Sequence, residues 1–112
     1  MLIKKTGRNL DKIMDKKNIK LIGAPIDLGS ELLGVELGPD AIRAAGIIRT
    51  LMNLGFSVTD HGNIPVPHNE TRVAGNPKAK YLDAVVTFSQ ALATATTDTI
   101  KAGAIPITIG GD

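Results

Sequence analysis

Three short apolar runs, separated by two stretches with helical periodicity, constrain the fold most strongly. The runs cover residues 19–24, 56–60 and 105–109. Short apolar strands that alternate with helices are typical of a parallel sheet with right-handed crossover connections. Parallel sheets need cover on both faces, so three strands usually belong to something larger. We therefore predict an α/β fold of three layers, a parallel sheet with flanking helices, in the order β-α-β-α-β.

Glycine and proline residues mark where the two helices begin and end. Gly38-Pro39 opens the first helix, because a proline in the first turn loses no hydrogen bond there. Apolar residues then recur at helical spacing until Gly55, a typical residue just beyond a helix end. Asn76-Pro77 opens the second helix, which runs for about 25 residues to Gly103. Four threonines near its C-terminal end weaken it.

Composition excludes several classes of protein. The chain has no cysteine, which excludes disulfides, thiolate catalysis and cysteine metal sites. No apolar run reaches the roughly 18 residues of a membrane span, and no signal-peptide pattern is present. Aromatic residues make up 3% and the formal net charge is only +2, so we expect no nucleic-acid partner and no membrane partner. We expect a cytoplasmic protein with a polar leader at residues 1–18 and an incomplete α/β domain at residues 19–112.

The individual polar motifs carry little chemistry by themselves. The turn after the first strand, residues 23–29, lacks the glycine spacing of a dinucleotide-binding loop, and Pro25 interrupts it. His61 and His68 fall in a predicted loop at residues 61–76 without zinc-type spacing, so we interpret them as exposed. The acidic residues before and within the first helix turn are interpreted as solvated; they are Asp27, Glu31, Glu36 and Asp40.

Four motifs nevertheless occur together in sequence order. They are I-G-A-P followed by D-L-G at 22–29, G-V-E-L-G-P-D-A-I-R at 34–43, D-H-G-N-I-P at 60–65, and G-G-D at 110–112. Together they resemble the arginase family of manganese ureohydrolases over residues 19–112. The run at 34–43 is the most specific, and it is more similar to arginase proper than to agmatinase or formiminoglutamase. By this resemblance Gly38, Pro39 and Arg43 shape the loop and helix beside the family's pocket. Gly110, Gly111 and Asp112 flank the same active site.

The resemblance implies an eight-stranded parallel sheet with two manganese ions at the carboxyl ends of the strands. Their bridging water would hydrolyse L-arginine to ornithine and urea. The family's first manganese ligand is the histidine directly after G-G-D, and its other ligands follow later. The resemblance therefore implies no catalytic and no metal-binding residue within 1–112, so we expect this chain alone to bind no Mn²⁺ and to be inactive. Two alternatives stay open: a stand-alone structural or interaction module, and a fragment of an agmatinase-type ureohydrolase.

The third apolar run also bears on self-association. In the fold that the resemblance implies, the first three strands neighbour one another in the order 2-1-3, and in a fragment of that fold we expect strand 105–109 to become an exposed edge. An exposed apolar edge strand is a template for pairing with another chain. We therefore expect a homo-oligomer or self-association through strand 105–109.

Overall fold

The structure, a computed structural model, describes residues 18–28, 34–67 and 81–111. Its elements are β1 (Asn18–Ala24), a 3-10 turn (Val35–Leu37), α1 (Gly38–Ala44), α2 (Ile47–Asn53), β2 (Ser57–Asn63), α3 (Leu82–Lys101) and β3 (Ile105–Gly110). The three strands form one parallel sheet in the order β2-β1-β3. The predicted α/β architecture and strand order are confirmed.

The central strand β1 forms the middle of the core. Ile19 and Leu21 point to one face of the sheet and are buried, while Ile22 and Ala24 are buried on the other. Ile22 and Ala24 pack with Phe88 of α3 and with a residue just after β2 in a single apolar cluster. Burial on both faces explains why β1 reads as a nearly continuous apolar run.

The prediction of one continuous helix after Gly38-Pro39 is wrong. The segment forms two short helices, because the backbone at Gly46 turns into the left-handed region at φ 98°. Glycine adopts this conformation without the steric cost that other residues incur. The predicted end at Gly55 is confirmed, since Gly55 N–H donates to the Met52 carbonyl at 3.0 Å and Phe56 N–H to the Leu51 carbonyl at 3.1 Å.

Helix α3 ends as the sequence predicts. Gly103 N–H donates to the Ile100 carbonyl at 3.0 Å, which closes the helix in the way typical of a glycine cap. The threonines are tolerated because the Thr96 and Thr99 hydroxyls donate to backbone carbonyls four residues earlier. The predicted start at Asn76-Pro77 lies outside the described residues. None of the helices within the described ranges is long and apolar enough to span a bilayer.

Strand β2 is longer than predicted and includes His61. The prediction ended this strand at Asp60 and placed His61 in a loop, and the structure corrects both points. Leu21 pairs with Asp60 but Ile22 pairs with Gly62, so His61 is an extra residue in a bulge. Asp, Gly and Asn are poor strand formers, and pairing with β1 overrides their propensity.

The start of β1 and the end of β3 each lie one residue away from their predicted positions. Asn18 pairs with Ser57 and so belongs to β1 rather than to the predicted leader. Gly110 pairs with Ala24 and extends β3 by one residue beyond the predicted run. Residues 1–17 of the predicted leader lie outside the described part of the chain, as does His68.

Candidate functional site

The carboxyl ends of the three strands meet at one edge of the sheet, where parallel α/β folds place their ligands. The backbone ties the three turns together. The Ala24 carbonyl accepts from Gly111 N–H at 3.1 Å and from Ile26 N–H at 2.9 Å. The Gly23 carbonyl accepts from Ile64 N–H at 2.8 Å. The turns after β2 and β3 are therefore both fixed against the end of β1.

The glycines predicted to flank the site are needed for close backbone contact. A Cβ atom on Gly38 would lie 3.0 Å from the Gly110 carbonyl oxygen. A Cβ atom on Gly111 would overlap the Val35 carbonyl oxygen. Pro39, next to the first of these contacts, is buried. The start of α1 and the turn after β3 thus touch through main-chain atoms that leave no room for side chains.

Arg43 organises a polar cluster beside these turns. Its Nε donates to Asp60 Oδ2 at 2.9 Å and its Nη2 to Asp60 Oδ1 at 3.0 Å, a bidentate ion pair. Its Nη1 donates to Asp40 Oδ1 at 3.0 Å and also to Asn63 Oδ1. The Arg43 side chain is only 17% exposed. One guanidinium therefore joins α1 to the final residues of β2.

Gly23 provides the space for this cluster. A Cβ atom at position 23 would overlap the Asn63 side chain and lie 2.9 Å from Arg43 Nη2. The face of β1 that carries Gly23 is therefore open at the point where Arg43 and Asn63 meet. This close approach explains a glycine inside a strand, where glycine otherwise weakens the structure.

The Asp60 carboxylate is held in its charged form. Partial burial raises its pKa, but the Gly62 N–H and the hydrogen bond and positive charge of Arg43 outweigh this effect. The charge of His61 acts in the same direction as Arg43. As a result the pKa of Asp60 lies below its usual value of 3.8.

The structure brings together some residues that the sequence analysis separated. Asp40 is a partner of Arg43, and Glu36 Oε2 accepts from Gly34 N–H at 3.0 Å, so neither is merely solvated. Asp60 and Asn63 were missed as partners of Arg43. Both residues belong to the D-H-G-N motif, but nothing in the sequence spacing indicated that this motif contacts G-P-D-A-I-R. Glu31 and Asp112 lie outside the described residues.

The described residues do not fit a manganese centre. Within residues 18–28, 34–67 and 81–111, no three His, Asp or Glu side chains are grouped so as to hold a metal ion. The carboxylates of the Arg43 cluster are occupied by the guanidinium and by backbone N–H groups. The cluster is therefore a structural support rather than a metal site.

Comparisons with known proteins identify the fold. Residues 17–112 match the Arginase family. The arginase of Brevibacillus brevis is 42% identical over 98 residues, covering 86% of this chain and 32% of that protein. The arginase of Bacillus subtilis is 36% identical over 96 residues, with the same coverage of 86% and 32%. A solved structure of the Bacillus caldovelox arginase superposes with a TM-score of 0.73 at 35% identity, covering 83% of this chain and 31% of that one.

These matches have two consequences. The chain spans about a third of the length of the curated relatives that it matches. The matched region includes β1, β2 and β3 and the whole of the Arg43 cluster. With this match over most of the chain and with relatives up to 42% identical, the chain belongs to the arginase family.

Proposed function

We propose that a protein containing this chain is an arginase that hydrolyses L-arginine to ornithine and urea. The observation that carries the proposal is the match to the family across residues 17–112. The carboxyl ends of the strands support this proposal. The Gly110-Gly111 turn is hydrogen-bonded there to the end of β1, and α/β enzymes bind their ligands at this end of the sheet. Arginases are generally manganese-dependent.

The role proposed for the described residues is to shape one side of the site. Arg43 fixes α1 to the end of β2, and Gly38 and Gly111 let two backbone segments touch. Two manganese ions would need ligands from outside the described residues. We therefore assign no step of the hydrolysis to residues of this chain, and we expect the 112-residue chain alone to release no urea.

A chimera tests the proposal. Residues 17–112 of this chain would replace the matching third of the Bacillus subtilis arginase, and urea release from L-arginine would be measured with Mn²⁺. The expected result is Mn²⁺-dependent urea release by the chimera and none by the 112-residue chain. A chimera that folds with the parent's circular dichroism spectrum and size, but releases no urea, would contradict the proposal. Urea release by the chain alone would contradict the assignment of chemistry to other residues.

The source gene distinguishes the enzyme from the stand-alone module. We expect the codon after Asp112 to encode histidine, followed by a D-A-H-x-D motif about twenty residues later, as the resemblance implies. A stop codon at that point would favour a stand-alone interaction module.

A cytoplasmic location is also proposed, and cell fractionation with an antibody against the chain would test it.

A further inference from the structure

Three glycines at the carboxyl ends of the strands do not need the conformational freedom of glycine. The described glycines that have positive φ do not include Gly23, Gly38 or Gly111. Gly38 has φ −53° and ψ −51°, which are ordinary helical values that alanine adopts more readily than glycine. A glycine in such a conformation is explained by a close approach that leaves no room for a side chain.

Two of these glycines place the start of α1 against the turn after β3. A Cβ atom on Gly38 would lie 3.0 Å from the Gly110 carbonyl oxygen, and one on Gly111 would overlap the Val35 carbonyl oxygen. Val35 and Gly38 belong to one continuous segment, because the 3-10 turn leads directly into α1. This segment therefore contacts both residues of the turn, at positions 110 and 111.

The opposite end of the same helix is anchored to β2. Arg43 lies in the last turn of α1, about 8 Å along the axis from Gly38 at about 1.5 Å per residue. Its guanidinium forms the bidentate pair with Asp60, a geometry that fixes the angle as well as the distance between the two groups. Helix α1 thus spans the space between the end of β2 and the turn after β3.

Few other contacts of the described residues hold α1 in place. Pro39 is the one residue of this helix that is buried among them, and it lies in the first turn. Ile42, in the last turn, is 40% exposed. Because the helix has only seven residues, a shift of its last turn also moves its first turn. Among the described contacts, the Arg43 pair is therefore the main determinant of where α1 lies.

We propose that Arg43 is a positioning residue for the turn after β3. It holds α1 at a fixed distance from β2, and α1 in turn holds Gly110 and Gly111 through main-chain contacts. The kinetic consequence rests on the proposed function, because this turn lies where α/β enzymes bind their ligands. A displacement of about 1 Å in such a site lowers the rate by on the order of 100-fold.

Amide hydrogen exchange in the chimera described above tests the structural step. Mass spectrometry would follow the peptide that contains β3 and Gly111, with peptides of α3 as an internal reference for general loss of stability. Arg43→Ala should speed exchange at β3 and Gly111 by about tenfold relative to α3. Arg49→Ala, which removes an exposed arginine of α2, should leave it unchanged. Equal rates in the two variants would overturn the proposal.

Gly38→Ala perturbs the same contact from its other end. Its Cβ would press on the Gly110 carbonyl while the helical backbone is kept, so it should also speed exchange at β3. Gly55→Ala is the matched control, because φ is 97° there but the space is open. It should lower stability without a selective change at β3. A selective effect of Gly55→Ala at β3, or none of Gly38→Ala, would overturn the proposal.

The double variant tests whether Arg43 and Gly38 act through the same helix. Once Arg43 is alanine, α1 is free to move away from the Gly110 carbonyl, so the added Cβ at position 38 should have a smaller effect. We therefore expect the combined change in exchange rate to be less than the product of the two single changes. A combined change equal to that product would mean that the two residues act independently, and it would overturn the proposed route.

Urea release by the chimera tests the kinetic consequence. Arg43→Ala should lower kcat at least about tenfold and change KM less than about threefold, because a misplaced turn affects the reacting geometry more than substrate binding. Arg49→Ala should keep both constants. A raised KM with unchanged kcat in Arg43→Ala would overturn the positioning role. An unmodified chimera that folds but releases no urea would contradict the proposed function, while the exchange measurements would still decide whether Arg43 positions the turn.

Discussion

Replacing Arg43 with alanine removes the side chain that joins α1 to the end of β2. The variant loses the bidentate pair with Asp60 and the bonds to Asp40 and Asn63. It also leaves the Asp60 carboxylate partly buried with only the Gly62 N–H as a partner among the contacts described. The loss is therefore more than that of a solvent-exposed ion pair.

The exposure of the two partners sets the expected magnitude. Fully exposed ion pairs contribute about 0.2–1 kcal/mol, and breaking a buried pair costs about 3–5 kcal/mol. Arg43 is 17% exposed and Asp60 31% exposed, which places this pair between those limits. We expect Arg43→Ala to lower the free energy of unfolding by about 2 kcal/mol. For a domain of this size that corresponds to a melting temperature lower by about 8 °C.

Thermal and urea unfolding followed by circular dichroism would measure this loss, with Arg49→Ala as a control. Arg49 is exposed on α2, so its removal should change the free energy of unfolding by less than about 0.5 kcal/mol. A double-mutant cycle with Asp60→Asn isolates the pair, and we expect a coupling of about 1–2 kcal/mol. A coupling near zero, or equal losses for Arg43→Ala and Arg49→Ala, would refute the reasoning.

Three further variants probe the same region. Because the pKa of Asp60 is lower in the folded state than its usual value of 3.8, its charge stabilises the fold above that pH, and this contribution is lost as pH falls through the folded pKa. The stability difference between wild type and Asp60→Asn should therefore be constant near neutral pH and shrink below about pH 4 in urea titrations. Gly23→Ala should cost about 1–3 kcal/mol because its Cβ overlaps Asn63, and less when Arg43 is already alanine. Gly46→Ala should cost about 1 kcal/mol, because φ is 98° there although the space is open; unchanged unfolding midpoints would contradict either glycine argument.

Apolar periodicity predicted the strands and helices because the burial of apolar side chains determines where they form. β1 and β3 read correctly as apolar runs, and the ends at Gly55 and Gly103 followed from the backbone conformations that only glycine adopts easily. The split at Gly46 was missed because the apolar spacing continues through it. The end of β2 was missed because its polar residues are held by pairing with β1, a contact that is distant in sequence.

The site was harder to predict than the fold, since its key contacts cross about twenty residues of sequence. The motif residues Gly38, Pro39 and Arg43 came from the resemblance alone. The structure shows the contact that each of these residues makes. Gly38 lies against the Gly110 carbonyl, the Pro39 ring is buried, and Arg43 forms an ion pair with Asp60. The spacing of residues along the sequence does not indicate which of them lie in contact in the folded chain.

The Asp60 carboxylate connects the bulge of β2 to helix α1. Asp60 Oδ1 accepts from Gly62 N–H at 2.8 Å, which holds the bulge closed around His61, and the same oxygen accepts from Arg43 Nη2. The bulge shifts the register by one residue and so brings Asn63 opposite Gly23, where its side chain meets Arg43. Without that extra residue Asn63 would point to the other face of the sheet, because side chains alternate along a strand. The motifs G-P-D-A-I-R and D-H-G-N therefore act as a single structural unit, in which the bulge is what brings the second motif within reach of the first.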